Sequence, residues 1–226
     1  MVILYAANVA CLRDPGLYAA AYEAAPLWRR EKADRCRMQR DKCLSLGAGL
    51  LLGEALRNAG YEAPSAVTYG ENGKPFLADI PLSFSLSHSG EWVVCALADR
   101  EVGCDVERVR PVRTAVAGRY FRPEEAATIA AAPTPDERYD RFFRYWTLKE
   151  SFVKALGSGL RLPLSAFTII LGDPPTVAQS VDPREFCLFE VTGIPGCRCA
   201  LCAEAPADPP LLRIVEIPAI LAAKNG

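Results

Sequence analysis

Apolar and polar positions along the chain change period several times. Val2 to Val9 (VILYAANV) is nearly continuous in apolar character, which predicts a first, buried strand. From Pro26 to Ala59 the spacing is helical, and Gly60 stands where a helix C-terminus favours glycine. The first half of that stretch is polar and basic, with Arg29, Arg30, Lys32, Arg35, Arg37, Arg40 and Lys42 against Glu31, Asp34 and Asp41. Its second half, LSLGAGLLLGEAL, reads as a buried helix with small residues where another element can come close. Asn72-Gly73 marks a tight turn, and three strand-like runs follow: FSLSHS, WVVCALA and VGCDVERV. Joined by Ser89-Gly90 and Asp99-Arg100, they predict an antiparallel meander.

A polar stretch from Arg108 to Arg119 leads into the remainder. Arg122-Pro123-Glu124-Glu125 opens a helix, with proline at its first position and acids in its first turn. A second helix is predicted from Asp136 to Gly157, with Phe142, Phe143, Trp146, Val153 and Leu156 on its apolar face. Strand-like runs recur at 167–171, 186–191 and 197–203, and a Pro-rich stretch (205–210) precedes a short tail, Leu211 to Ile217. Each half reads as a helix plus a small antiparallel sheet, so the expected class is α+β, divided into 1–107 and 108–226.

Composition narrows the chemistry. The 226 residues carry 26 Lys plus Arg against 27 Asp plus Glu, a net charge of −1 that argues against a globally basic nucleic-acid binder. With only His88 available, a His-rich metal site is excluded, and any Ser-His-Asp or Cys-His chemistry would have to use that one ring. Nine cysteines, an odd and scattered count, do not form a disulfide framework. The N-terminus lacks a basic region ahead of its short apolar run, and the longest apolar stretch, Leu44 to Leu52, is too short to span a membrane. The expectation is a soluble cytoplasmic protein with reduced thiols. On the strand CRCALCA, Cys197 and Cys199 share one face and Cys202 takes the other, a poor arrangement for zinc.

Asp105 and Glu107 are the sharpest chemical feature. Two apart on a strand, they point the same way, while Val102, Cys104 and Val106 point to the other face. Paired like charges are costly unless a cation lies between them; the bland alternative is an edge strand with a solvated acidic face. Glu150 precedes Lys154 by one helical turn, which allows a simple i,i+4 ion pair, yet it also lies on the shoulder of the apolar face, placed to look into a cleft. Three hard oxygen ligands from a strand and a helix suit Mg²⁺. Lys32 and Arg35 are three apart on a helix, Lys74 adjoins Pro75 at the turn, and Ser87, His88 and Ser89 close a strand. Such basic and hydroxyl groups beside carboxylates suit a metal-bound, multiply phosphorylated small molecule better than a nucleic-acid backbone. Taken singly, a solvated basic face and a satisfied strand-end histidine explain them as well.

The order of these segments resembles the Sfp-type 4′-phosphopantetheinyl transferases. The matching pieces are Asn72-Gly73-Lys74-Pro75, Phe84 to Ser89, Trp92 and the strand after it, Val102 to Glu107, and Trp146-Thr-Leu-Lys149-Glu150-Ser-Phe-Val-Lys154, with GLRLPLSAF (159–167) behind them. The resemblance implies two similar subdomains related by a pseudo-twofold, with the active site between them. It implies transfer of phosphopantetheine from coenzyme A to a serine of an apo acyl or peptidyl carrier protein, with release of 3′,5′-ADP. By position, Asp105, Glu107 and Glu150 then look like Mg²⁺ ligands, and Asp105, Glu150 and Lys154 like the catalytic set. Lys32, Arg35, Lys74, Pro75, Ser87 and His88 look like coenzyme A contacts, with Lys32 and Arg35 at the 3′-phosphate. Glu125 matches a family glutamate near the site. Where the family often has an arginine, this chain reads Cys43-Leu44-Ser45, with Lys42 alongside. An acidic carrier would meet Arg110, Arg113 and Arg119. The expectation is a monomer acting without nucleic acid or membrane. The competing readings are a Mg²⁺-dependent phosphohydrolase or nucleotidyl transferase, and a non-enzymatic binding module.

Overall fold

In the computed structural model residues 1–62 and 66–224 are described. The chain opens with β1 (Val2–Asn8) and then α1 (Pro15–Ala24), a helix not expected from the sequence. Its start signals are local: the Asp14 side chain accepts from the Leu17 N–H at 2.9 Å, and Pro15 occupies the first turn. The single helix expected over 26–59 is two, α2 (Leu27–Arg35) and α3 (Gln39–Asn58), separated by extended backbone at Cys36. No Pro or Gly marks the break; packing decides it. α2 folds back onto α3, where a Cβ on Gly49 would come within 2.6 Å of Arg29 Cγ. Gly60, at φ +86°, ends the pair of helices as the sequence implies.

Next come β2 (Thr68–Tyr69) and β3 (Pro75–Phe76), a hairpin closed through Gly73, followed by β4 (Ser83–Ser89), β5 (Trp92–Ala98) and β6 (Val102–Arg108). The second half holds α4 (Ala117–Tyr120), α5 (Pro123–Ala130) and α6 (Pro135–Leu156). Then follow β7 (Thr168–Ile170), β8 (Thr176–Ala178), β9 (Phe186–Glu190), β10 (Cys197–Glu204), β11 (Leu211–Ile214) and α7 (Ile217–Lys224). Two sheets dominate, ordered β11-β1-β5-β4 and β6-β10-β9. Among the described residues all pairings are antiparallel except β1 with β11. Among the described residues no helix is long and apolar enough to cross a membrane.

The expected meander therefore stops after β5: β6 belongs to the other sheet, paired with β10. The reason is written in FSLSHS. Ser85 and Ser89 hydroxyls accept from the backbone N–H groups of Cys104 and Arg108, at 3.0 and 3.1 Å. Serine side chains replace the backbone ladder where β4 meets β6, and the sheets part there. The division expected between 107 and 108 falls inside β6.

The layers follow from alternation along the strands. α3 packs on one face of the first sheet through Leu44, Leu51, Val93 and Cys95. The opposite face, with Leu4, Val94 and Ala96, meets Val102, Cys104, Val106 and Cys199 of the second sheet. Behind that sheet lies α6, packed through Leu148 and Phe152 against Ala200 and Cys202. Cys199 and Cys202 thus face different cores, as strand alternation predicts. Each half is one long helix on a small sheet, which is the α+β plan read from the sequence. At Gly103 a Cβ would sit 2.1 Å from the Ser151 carbonyl oxygen, so only glycine lets α6 lie this close to β6.

Candidate active site

The close approach at Gly103 brings the acids of β6 beside the end of α6. Asp105 is buried; its Oδ1 accepts from Ser87 Oγ and from Lys154 Nζ, each at 2.7 Å. Lys154 also donates to the Cys104 carbonyl at 3.1 Å. Glu107, one pleat further, accepts from Ser89 Oγ at 2.6 Å and from Arg110 at 3.1 Å. The alternation SLSHS thus aims one serine at each carboxylate. Its intervening residue, His88, is exposed toward the cavity that these groups line.

That cavity, about 990 Å³, lies between the two halves and is lined by both acidic and basic groups. Asp105, Glu107 and Glu150 line it together with Lys154. Arg29, Lys32 and His88 line it too, as do Asn72 to Pro75, Trp28 and Trp146. Of the site residues expected from the sequence, Lys32, Lys74, Pro75, Ser87, His88, Asp105, Glu107, Glu150 and Lys154 all reach it. Arg35 does not line it: α2 ends at that residue, and its exposed guanidinium pairs with Glu31 at 3.9 Å. The neighbour of Lys32 in the wall is Arg29, three residues earlier rather than later. Sequence reasoning missed Arg29, although i−3 is as good a helical neighbour as i+3.

The electrostatics around Arg29 and Lys32 fit an anion. Arg29 is 5% exposed, and burial lowers its guanidinium to about 10. Its Nε has no hydrogen-bond partner among the described residues, and the group stacks 4.1 Å over the Trp28 ring. Burial also lowers Lys32, with the Arg29 charge adding to it. A buried cation without a carboxylate calls for an anion. Among the carboxylates, burial raises Glu150, and the charges of Asp105 and Glu107 push the same way while Lys154 opposes them. Burial likewise raises Asp105 against the pull of Lys154. On Lys154 burial works against the ammonium, but Asp105 and Cys104 outweigh it and the net direction is up.

Among the described residues Asp105 Oδ2 is buried without a hydrogen-bond partner, an orphaned hard acceptor. Asp105, Glu107 and Glu150 offer the oxygen chemistry that Mg²⁺ takes. As they stand, Oδ1 of Asp105 and Oε2 of Glu107 are engaged by neighbours. Among the described residues no three His, Cys, Asp or Glu groups are already gathered to hold a metal.

Glu125, singled out beside these, is 1% exposed and stands apart from the cavity wall. It caps α5 by accepting from Arg122 N at 2.9 Å and meets Lys149 at 2.9 Å. Lys149 in turn donates to the carbonyls of Leu164 and Phe167, both at 2.8 Å. Leu162 to Ser165 line the cavity, so this buried pair ties α6 to part of the cavity wall.

The chain is similar in sequence to known proteins. The sequence model of the 4′-phosphopantetheinyl transferase superfamily matches residues 101–202. A 4′-phosphopantetheinyl transferase of Bacillus subtilis is 35% identical over 165 residues, covering 71% of this chain and 73% of its own length. The 4′-phosphopantetheinyl transferase AcpT of Escherichia coli K12 is 40% identical over 111 residues, 47% of this chain and 56% of its own. Among solved structures, the holo-[acyl-carrier-protein] synthase of Thermotoga maritima overlaps 46% of this chain and 62% of its own, at 22% identity and a TM-score of 0.39.

Proposed function

The chain belongs to the 4′-phosphopantetheinyl transferase family, and we propose that the cavity between its halves is where coenzyme A gives up phosphopantetheine to a serine of an apo acyl or peptidyl carrier protein. The carrying observation is that one cavity is lined both by cations (Arg29, Lys32) with His88 and by three carboxylates (Asp105, Glu107, Glu150). The substrate has matching parts: a phosphorylated nucleoside, a pyrophosphate and an apolar-to-polar arm.

In this reading Arg29, Lys32 and His88 take the 3′-phosphate, and Pro75 and Ser87 contribute to the wall around the nucleotide. The carrier serine oxygen attacks the β-phosphorus. The bond from that phosphorus to the bridging oxygen breaks, and 3′,5′-ADP leaves with the electron pair. Lys154, held at Asp105, donates toward the oxygens on which charge grows. Glu150, its carboxyl raised by burial, accepts the serine proton. Asp105, Glu107 and Glu150 would hold Mg²⁺, which when bound neutralises pyrophosphate charge.

The carrier approaches where Arg113 is exposed and Arg119 lines the cavity; Arg110 is occupied by Glu107 and by the Phe143 ring, 5.0 Å away. The chain works as a cytoplasmic monomer with these two partners and no nucleic acid. The test is intact-mass measurement of apo acyl and peptidyl carriers after incubation with coenzyme A, Mg²⁺ and this protein. A phosphopantetheine adduct that does not form when EDTA is present from the start is expected. Unmodified carriers in both classes would overturn the reading and favour a phosphohydrolase, a nucleotidyl transferase or a binding module.

A further inference from the structure

Lys74 lies in the β2–β3 turn and lines both the main cavity and a smaller one beside it. An ammonium has three N–H donors and no acceptor. All three are matched within the protein: Lys74 Nζ donates to Glu101 Oε2 and to the carbonyl oxygens of Val102 (3.2 Å) and Ala155 (2.9 Å). These acceptors belong to the turn before β6, to β6 itself and to the last turn of α6, the element that carries Glu150 and Lys154. The aliphatic stem lies on Gly157, where a Cβ would come within 3.0 Å of Lys74 Cδ. The C-terminal end of a helix carries the negative end of its dipole, so the cation is well placed there without any ligand.

We propose that Glu101 is a positioning residue for coenzyme A binding, fastening Lys74 to the end of α6 so that the 72–75 turn keeps its place in the cavity wall. The inference rests on the reading of that cavity as a coenzyme A site. Lys74 has no N–H left for a phosphate oxygen, so its part in binding is to hold the turn and not to contact the ligand. Glu101, with a side chain 42% exposed, makes a weak ion pair on its own. Its effect comes from completing the donor set of a lysine whose other two partners are fixed backbone groups.

The two roles for Lys74 predict opposite responses to Glu101→Gln. If Lys74 were a phosphate contact, removing the carboxylate would free it and leave coenzyme A affinity equal or tighter. With the fastening, Glu101→Gln and Lys74→Met each weaken coenzyme A binding about 3–10-fold in KM and in calorimetric Kd, with kcat within about twofold. The double variant is no weaker than Lys74→Met alone, because both substitutions break one connection. Amide hydrogen exchange over residues 70–76 of the ligand-free chain is faster in both single variants. Equal or tighter binding by Glu101→Gln, or unchanged exchange over 70–76, overturns the proposal. A wild-type chain that binds no coenzyme A would instead sink the reading of the cavity, while the exchange comparison would still decide whether Glu101 holds the turn.

Discussion

Desolvation by the surrounding cavity walls lowers the His88 imidazole below its ordinary value of 6.5, and the charges of Lys32, Lys154 and Arg29 push the same way. The ring is therefore neutral in the ligand-free protein at neutral pH. Phosphate groups arriving beside it favour the imidazolium, so coenzyme A binding should take up a proton. Calorimetry in buffers of different ionisation heat should show that uptake as buffer-dependent heats, and His88→Asn should remove it; the same observed heat in every buffer would place His88 away from the phosphates. The folding sign is the reverse. Below pH 6.5 the unfolded chain binds a proton that the folded ring resists, so ligand-free stability should fall as pH drops from 6.5 through the depressed folded value. Glu150 titrates in the other direction from its norm: burial raises it, so the carboxylate that accepts the serine proton is lost as pH falls through that raised value. The acid limb of kcat should lie above an ordinary glutamate, and Glu150→Gln should cost on the order of 10²–10⁴ in kcat. A near-normal rate would remove Glu150 from the chemistry. The helical spacing that made Lys32 a candidate was legible in the sequence, but whether its partner lay at i−3 or i+3 was not. The end of α2 at Arg35 and the packing of Arg29 against Gly49 settled that.

Between elements, the connection with most at stake is the one from α6 to the segment after it. Lys149 and Glu125 are 0% and 1% exposed, and both are fully engaged with backbone as well as with each other. The Lys149 ammonium also lies 4.4 Å from the Phe167 ring centre. Removing one member of a buried pair leaves the other uncompensated, so Lys149→Ala should cost about 3–5 kcal/mol in urea unfolding. A loss below about 1 kcal/mol would show that the pair does not hold α6 to the 164–169 segment. The motif spacing placed Lys149 next to Glu150 but could not show that one faces the core and the other the cavity. That follows from the 100° turn between adjacent helical residues once α6 is laid on β6. The same holds for the serines of FSLSHS: their alternation was readable, while their use as a seam between sheets appeared only with the position of β6.

At the scale of the molecule, the tail is part of the first half. β11 adds to the edge of β1, and α7 buries Ile217, Ile220 and Leu221 in the core around α3. Three such side chains contribute roughly 1.5–3 kcal/mol each, so a chain ending at Pro210 should lose most of a typical folding stability. Circular-dichroism melting should show no cooperative transition near that of the full chain; an unshifted transition would show the tail to be an appendage. The sequence read only a short tail from Leu211 to Ile217, placed with the second half, because an apolar stretch of that length has no period long enough to show where it returns. By itself the sequence determined the α+β class, the helix ends at Gly60 and Gly157, and the carboxylate pair of β6, because caps, turns and strand alternation depend on residues within a few positions of one another. Only the tertiary structure decided that β6 changes sheets, that Arg29 replaces Arg35 in the cavity wall, and that Lys74 spends its donors on Glu101 and two carbonyls. Those outcomes rest on contacts between segments distant in the chain, set by close packing at glycines 49 and 103 and by where buried polar groups find partners.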